Sequence, residues 1–189
     1  NIQQEPNSLP TPGAQPIFDS RPPNMPEEAM LQHFKGVEIK AAQPCFSPDT
    51  AILMDFRCDQ SRGIHFIYLL PYSPTEALVE STMLSTKRQN DEFYAEAIKT
   101  YLETYWATGG WQVNHTEQGC IPMAFVQPVN LDYLPIGANG GCVRPSSGYA
   151  FAFIQKHTDA IVDRLVLSSP DLLTPATMPR PMSRFDLFL

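Results

Sequence analysis

AILMDFRCDQSRGIHFIYLLPYSPTEALVESTM, residues 51–83, is the stretch whose reading decides the fold. Ile52, Met54, Phe56 and Cys58 share one parity, and Leu53, Asp55, Arg57 and Asp59 share the other. Side chains alternate across a strand, so this pattern predicts a half-buried strand. Gln60, Ser61, Arg62 and Gly63 form a short connection, with a glycine available for positive φ. From Ile64 to Leu70 only His65 interrupts an apolar run, which suits a strand buried on both faces. The turn residues Pro71 to Pro74 break that run, and alternation resumes over residues 77–83, with Leu78, Glu80 and Thr82 on one side. Three strands with short links predict an antiparallel meander.

Working outward, the N-terminal side is dominated by proline. Pro6, Pro10, Pro12, Pro16, Pro22, Pro23 and Pro26 all precede residue 27. Each lacks a backbone donor and has a fixed φ, so helix and central strand are excluded there. Residues 1–16 read as an irregular arm or linker. No basic start followed by an apolar segment marks a signal peptide, and the sequence opens on Asn1, as a fragment or processed product would.

On the C-terminal side, Asn90 or Asp91 can cap a helix near 91–107. Tyr94, Ala97, Ile98, Tyr101, Leu102 and Tyr105 form its apolar stripe, and Gly109 and Gly110 are expected to end it. A second helix is expected from about Ser147 to Leu167, stopped by Ser168, Ser169 and Pro170. The apolar residues 131–136 and the glycine-rich residues 137–141 precede it as a strand and a bend. The elements together predict an α+β chain: an arm over 1–16, a sheet domain over 17–130, a strand–turn–helix over 131–168 and a short tail over 169–189.

Composition limits the function. The chain has 189 residues, 43% of them hydrophobic and 17% charged, so it can bury a core. No apolar run approaches the roughly 18 residues of a membrane span. A net charge of −7 opposes a nucleic-acid surface, which needs clustered Lys and Arg. Cys45, Cys58, Cys120 and Cys142 contain no CxxC pair, and His33, His65, His115 and His157 have no metal spacing. No metal site is expected, and the thiols read as reduced and structural. No nucleophile elbow supports serine hydrolysis.

Three stretches could carry chemistry. The bend at Gly137, Ala138, Asn139, Gly140 and Gly141, with Pro145, Ser147 and Gly148 opening a helix, is either a phosphate cradle or a tight turn in which glycine permits close packing. It is neither a GxGxxG fingerprint nor a P-loop. Glu80, among apolar neighbours, is either a carboxylate with a raised proton affinity or an exposed residue on the solvated side of a sheet. Asp55 and Asp59, flanking Arg57, read first as a surface ion cluster.

Taken in order, IFDSR (17–21), MDFRCDQ (54–60), FIYLLP (66–71), SPTEALVE (73–80), GCIPM (119–123), IGANGG (136–141) and RPSSGYAF (144–151) resemble the lycopene cyclase family of carotenoid-modifying flavoproteins. The resemblance runs over residues 17–168, and SPTEALVE and IGANGG…PSSGYAF are its specific parts. It implies part of a glutathione-reductase-like, FAD-binding fold whose dinucleotide-binding βαβ unit lies upstream of this sequence. It implies a non-redox reaction, in which reduced FAD, with NAD(P)H as reductant, assists proton-initiated closure of a lycopene end group. Gly137, Ala138, Asn139, Gly140 and Gly141 would lie near the flavin, with Pro145, Ser146, Ser147 and Gly148 beginning the associated helix. Glu80 matches the first acid of the family's acidic pair and would stabilise the developing cation, and Ser81 stands where the second acid should be; Asp55 or Asp59 would then supply the proton. A cytoplasmic enzyme touching the membrane peripherally follows from so long and apolar a substrate. The alternatives are an FAD-dependent monooxygenase or related oxidoreductase acting on an apolar substrate, and an inactive or apolar-ligand-binding fragment.

Overall fold

The structure, a computed structural model, describes residues 16–24, 26–130 and 132–166. The proline-rich arm before residue 16, Leu131 and everything after residue 166, including the predicted helix stop, lie outside the described residues. The chain divides into two units. Glu28–Pro122 forms one; the segments before and after it form the other.

The Glu28–Pro122 unit is a five-stranded antiparallel sheet with one helix. Its strands are β2 (Leu31–Ala41), β3 (Ile52–Asp55), β4 (Ile64–Pro71), β5 (Glu76–Ser85) and β6 (Trp111–Pro122), in the order β3-β4-β5-β2-β6. The predicted meander is present as β3-β4-β5, with Gly63 at φ +139 before β4. Two strands were not expected. β2 fills the place beside β5, and β6 pairs with β2 at the edge. β6 is exposed over most of its length, so its sequence lacks the apolar alternation that marks a strand.

Helix α1 (Asp91–Tyr105) is capped by Asn90, whose side chain accepts from the Phe93 amide at 3.1 Å, with Asp91 and Glu92 in the first turn. Those charges complement the positive end of the helix. The stripe residues Tyr94, Ile98, Tyr101 and Leu102 are buried. Ile98, Tyr101 and Leu102 pack with Val37, Ile39, Ile67, Leu69, Ala77 and Val79 in the main core, and Tyr94 meets His33 edge-on. Tyr105, at the stripe's end, is exposed. The helix stops at Trp106, whose amide donates to the Leu102 carbonyl, so Gly109 and Gly110 shape the following bend rather than the helix end.

The other unit holds β1 (Phe18–Asp19), β7 (Leu134–Pro135) and α2 (Phe151–Val166). β1 and β7 pair in parallel, Phe18 opposite Leu134, with the Ile136 amide donating to the Asp19 carbonyl at 2.9 Å. Residues 18–19 therefore belong with the strand–turn–helix, although the sequence reading places them in the sheet domain over 17–130. α2 starts four residues later than predicted. Residues 145–147 form a turn closed on the Arg144 carbonyl by the amides of Ser147 and Gly148, and Gly148 takes φ +70, which no helix interior accommodates.

Candidate functional site

The two faces of the five-stranded sheet have different tasks. His33, Val37 and Ile39 of β2, His65, Ile67 and Leu69 of β4, and Ala77, Val79, Ser81 and Met83 of β5 are buried and share the parity that faces α1. Glu80 belongs to the opposite face. There it stands in a row across the sheet, paired with Tyr68 of β4 on one side and Gly36 of β2 on the other, while Gly36 is paired in turn with Glu117 of β6. Phe66, Leu78 and Thr82 share this face. Phe66 is buried and packs edge-on against Tyr68, with ring centres 5.3 Å apart.

Glu80 is half-buried, and Thr82 Oγ1 donates to its Oε1 at 2.6 Å. Burial raises its proton affinity above the ordinary carboxylate value; the Thr82 hydrogen bond opposes the rise, and the Glu117 charge adds to it. Of the two sequence readings of Glu80, an exposed surface residue and a perturbed carboxylate, the geometry matches the second. Ser81, the next residue, points the other way, into the core. Its hydroxyl lies 2.8 Å from His65 Nε2, while His65 Nδ1 lies 2.9 Å from the Asp59 carbonyl. Nδ1–H donates to that carbonyl, and since burial disfavours the charged ring, His65 is neutral and Nε2 accepts from Ser81.

Asp55 is at the end of β3. Arg57 donates to it through Nε and Nη2, the latter at 2.6 Å, and the Tyr101 hydroxyl of α1 donates at 2.7 Å. These donors hold its carboxyl well below the usual carboxylate range, against the opposing effect of burial. The same contact pushes the Tyr101 hydroxyl up to about 12, after burial as the larger cause. Arg57 also lies 4.3 Å from the centre of the Tyr105 ring. Asp55 is thus an ionised brace between β3 and α1. Asp59 accepts from the Ser61 amide and hydroxyl, which lowers its proton affinity too.

The glycine-rich bend lies in the other unit, and at Gly140 it is the tight, closely packed turn of the second sequence reading. Gly140 is a packing glycine: a Cβ there would meet the Pro135 carbonyl oxygen at 2.7 Å and His157 Cε1 at 3.0 Å. Asn139 is buried, its amide donating to the Asp19 carbonyl and its Oδ1 accepting from the Val129 amide. The amides of Gly140, Gly141 and Cys142 close on carbonyls of the same turn. Gly137 and Gly141 differ. Both take positive φ, and a Cβ on either would meet nothing within 4 Å, so the backbone there is bare and open to close approach. Pro145, Ser147 and Gly148 sit in the turn before α2 rather than in its first turn.

Sequence reasoning missed Gly36 and Glu117, because it missed their strands. Four free thiols agree with the absence of a disulfide framework. Among the described residues, no cluster of His, Cys, Asp and Glu could hold a metal, and no helix is long and apolar enough to cross a membrane.

An antiparallel sheet with a helix on one face and a half-buried carboxylate on the other, joined to a parallel β1–β7 pair and a glycine turn, defines a fold known from a larger protein. The chain superimposes on a geranylgeranyl bacteriochlorophyll reductase-like protein from Thermoplasma acidophilum with a TM-score of 0.54, at 12% identity, over 79% of this chain and 38% of that one. Residues 11–186 match the family described as lycopene cyclase protein, and the chain belongs to that family. It is 30% identical over 140 residues to a lycopene beta-cyclase of Paracoccus sp., covering 69% of this chain and 35% of the relative. It is 28% identical over 183 residues to a lycopene beta-cyclase of Pantoea ananas, covering 92% and 45%. The chain therefore spans less than half the length of these curated relatives.

Proposed function

We propose that the protein of which this chain is part cyclises an end group of lycopene or a related carotenoid without net redox change, and that Glu80 is its acid. The observation that carries this reading is the setting of Glu80: half-buried, on the sheet face it shares with Phe66, Tyr68 and Leu78, with burial raising its proton affinity above the ordinary carboxylate value. A carboxylic acid so placed can give its proton to an electron-rich alkene carbon and become a carboxylate beside the resulting cation. At about 4 Å and an effective dielectric near 20, that pairing is worth about 4 kcal/mol, or roughly three decades in rate. The Thr82 hydroxyl, already donating to Oε1, stabilises the carboxylate left behind. Ring closure and loss of a proton from the ring complete the reaction.

In this reading Asp55 is not the proton source, because Arg57 and Tyr101 keep it ionised. The serine that follows Glu80 bears on packing rather than on the choice between cyclase and oxidoreductase, since its hydroxyl is bonded to His65 in the core.

FAD is the proposed cofactor, and NAD(P)H the reductant. The bare backbone at Gly137 and Gly141 fits the close approach of a flat or phosphorylated group, and these residues with Ala138 would line it. Asn139 and Gly140 would hold the turn in shape, with Pro145, Ser147 and Gly148 supporting it from the next turn. Reduced flavin, when bound, would supply an electron-rich ring able to stabilise a cation. A substrate so long and apolar would draw the protein to a membrane surface, on the cytoplasmic side in this reading; among the described residues no helix is long and apolar enough to cross it.

The test is Glu80→Gln in the full-length protein with reduced FAD and lycopene. Removing a general acid should lower kcat by about 10²–10⁴, with the thermal midpoint little changed. Wild-type turnover in the variant would remove Glu80 from the chemistry.

A further inference from the structure

We propose that Glu117 is a positioning residue for Glu80: its carboxylate reaches over Gly36 towards Glu80 and sets the electrostatic surroundings of that acid. This rests on the reading of Glu80 as the acid.

The geometry comes from three adjacent strands. Glu80 on β5 and Glu117 on β6 are both paired with Gly36 of β2, which lies between them. Neighbouring strands are about 4.8 Å apart, so the two glutamate backbones are separated by about 10 Å. Any residue other than glycine between them would fill that interval with a side chain. A Cβ on Gly36 would lie 2.9 Å from Glu117 Oε1, 3.0 Å from Glu117 Cγ and 3.2 Å from Leu78 Cδ1. The Glu117 side chain therefore lies over Gly36, in the direction of Glu80, in space that the missing side chain leaves open. The backbone of Gly36 needs no positive φ; its role is room.

Other titratable groups share this face among the described residues, and Tyr72 lies close enough to feel the charges of Glu38 and Glu117. Tyr68 of β4 flanks Glu80 on its far side. Glu38 of β2 lies two residues from Gly36, opposite His115 of β6. Lys40 pairs with Glu76 at 3.6 Å. Lys35 faces the helix side, where it pairs with Asp91 of α1 at 3.4 Å. A carboxylate charge brought close to a half-buried carboxyl disfavours ionisation of that carboxyl. The electrostatic effect of Glu117 on Glu80 has this sign. Ser81 cannot take this part, since it is on the opposite face.

The experiment is a carbon-13 titration of the Glu80 carboxyl in the glutamate-labelled 189-residue chain, for wild type, Glu117→Gln and Glu117→Asp. The expected result is a Glu80 midpoint lowered by about one pH unit in Glu117→Gln, and by less in Glu117→Asp, whose shorter side chain withdraws the charge without removing it. In the full-length protein with reduced FAD, the alkaline limb of the cyclisation profile should move down by the same interval in Glu117→Gln, with the rate at low pH retained. An unmoved Glu80 midpoint would overturn the pairing, as would a uniform loss of rate at every pH. Either result leaves the role of Glu80 standing if Glu80→Gln is inactive. An active Glu80→Gln variant would sink the reading on which the pairing rests.

Discussion

At the scale of single residues, adjacent positions in β5 have unrelated tasks because a strand sends them to opposite faces. Glu80 lies on the open face and Ser81 completes a buried chain with His65. That separation was only partly legible in the sequence. The alternation of Leu78, Glu80 and Thr82 showed which residues share a face, but not which face is covered by a helix. Asp55 and Arg57 read as a surface pair, yet the Asp55 side chain is only 7% exposed, because Tyr101 reaches it from α1, 46 positions away. No local pattern encodes that partner. Gly140 is a further case. Its Cβ would collide with the backbone of β7, whereas Gly137 has open space and only its φ of +60 to lose. Gly140→Ala should therefore lower stability by about 1–3 kcal/mol, measured by denaturant unfolding. Gly137→Ala should cost about 1–2 kcal/mol through left-handed strain while leaving the packing intact. A Gly140→Ala variant as stable as wild type would contradict the packing role.

At the scale of elements, α1 was legible because cap, first-turn acids and apolar stripe agree over one short window. β2 and β6 were not. In β2, Lys35 and Glu38 fall among apolar residues, and β6 is an edge strand that is polar on both faces for most of its length. What fixes them is pairing with β5 and with each other, which is non-local. The seam between sheet and helix contains two fully buried histidines. His33 lies 2.6 Å from the Tyr94 hydroxyl and 2.8 Å from Ser85 Oγ, and the Ser85 hydroxyl donates to the Lys87 carbonyl. His33 therefore donates to Ser85 and accepts from Tyr94, as a neutral ring. Burial lowers the proton affinity of both histidines below the usual 6.5. In the unfolded chain they take up a proton as pH falls through about 6.5, while in the folded chain they do so only at lower pH. The stability they contribute is thus fully present above that pH and declines below it. The thermal midpoint should be level from pH 8 to 7 and fall between pH 6.5 and 5.5, before exposed carboxylates titrate. A level midpoint down to pH 5 would contradict neutral burial.

At the scale of the whole molecule, the chain carries two units with separate contributions. One carries the half-buried Glu80 carboxyl on the sheet face opposite α1; the other carries a glycine turn tied to a short parallel pair. Family membership was legible because SPTEALVE and IGANGG…PSSGYAF carry the residues that a carboxylate on a strand and a bare turn require. The division into units was not, since β1 and β7 are 115 positions apart in sequence and only their pairing joins them. The proposed chemistry makes a demand on the product that no redox reaction shares. If a protonated carboxyl starts ring closure, the hydrogen it delivers comes from solvent, and a different hydrogen leaves the ring. The direct measurement is cyclisation of lycopene by the full-length protein with reduced FAD in deuterated water, without oxygen, followed by mass analysis of the product. The account predicts one deuterium gained and one hydrogen lost per ring formed, with no net change in oxidation level. A cyclised product free of deuterium, or one formed only when oxygen is consumed, would contradict it.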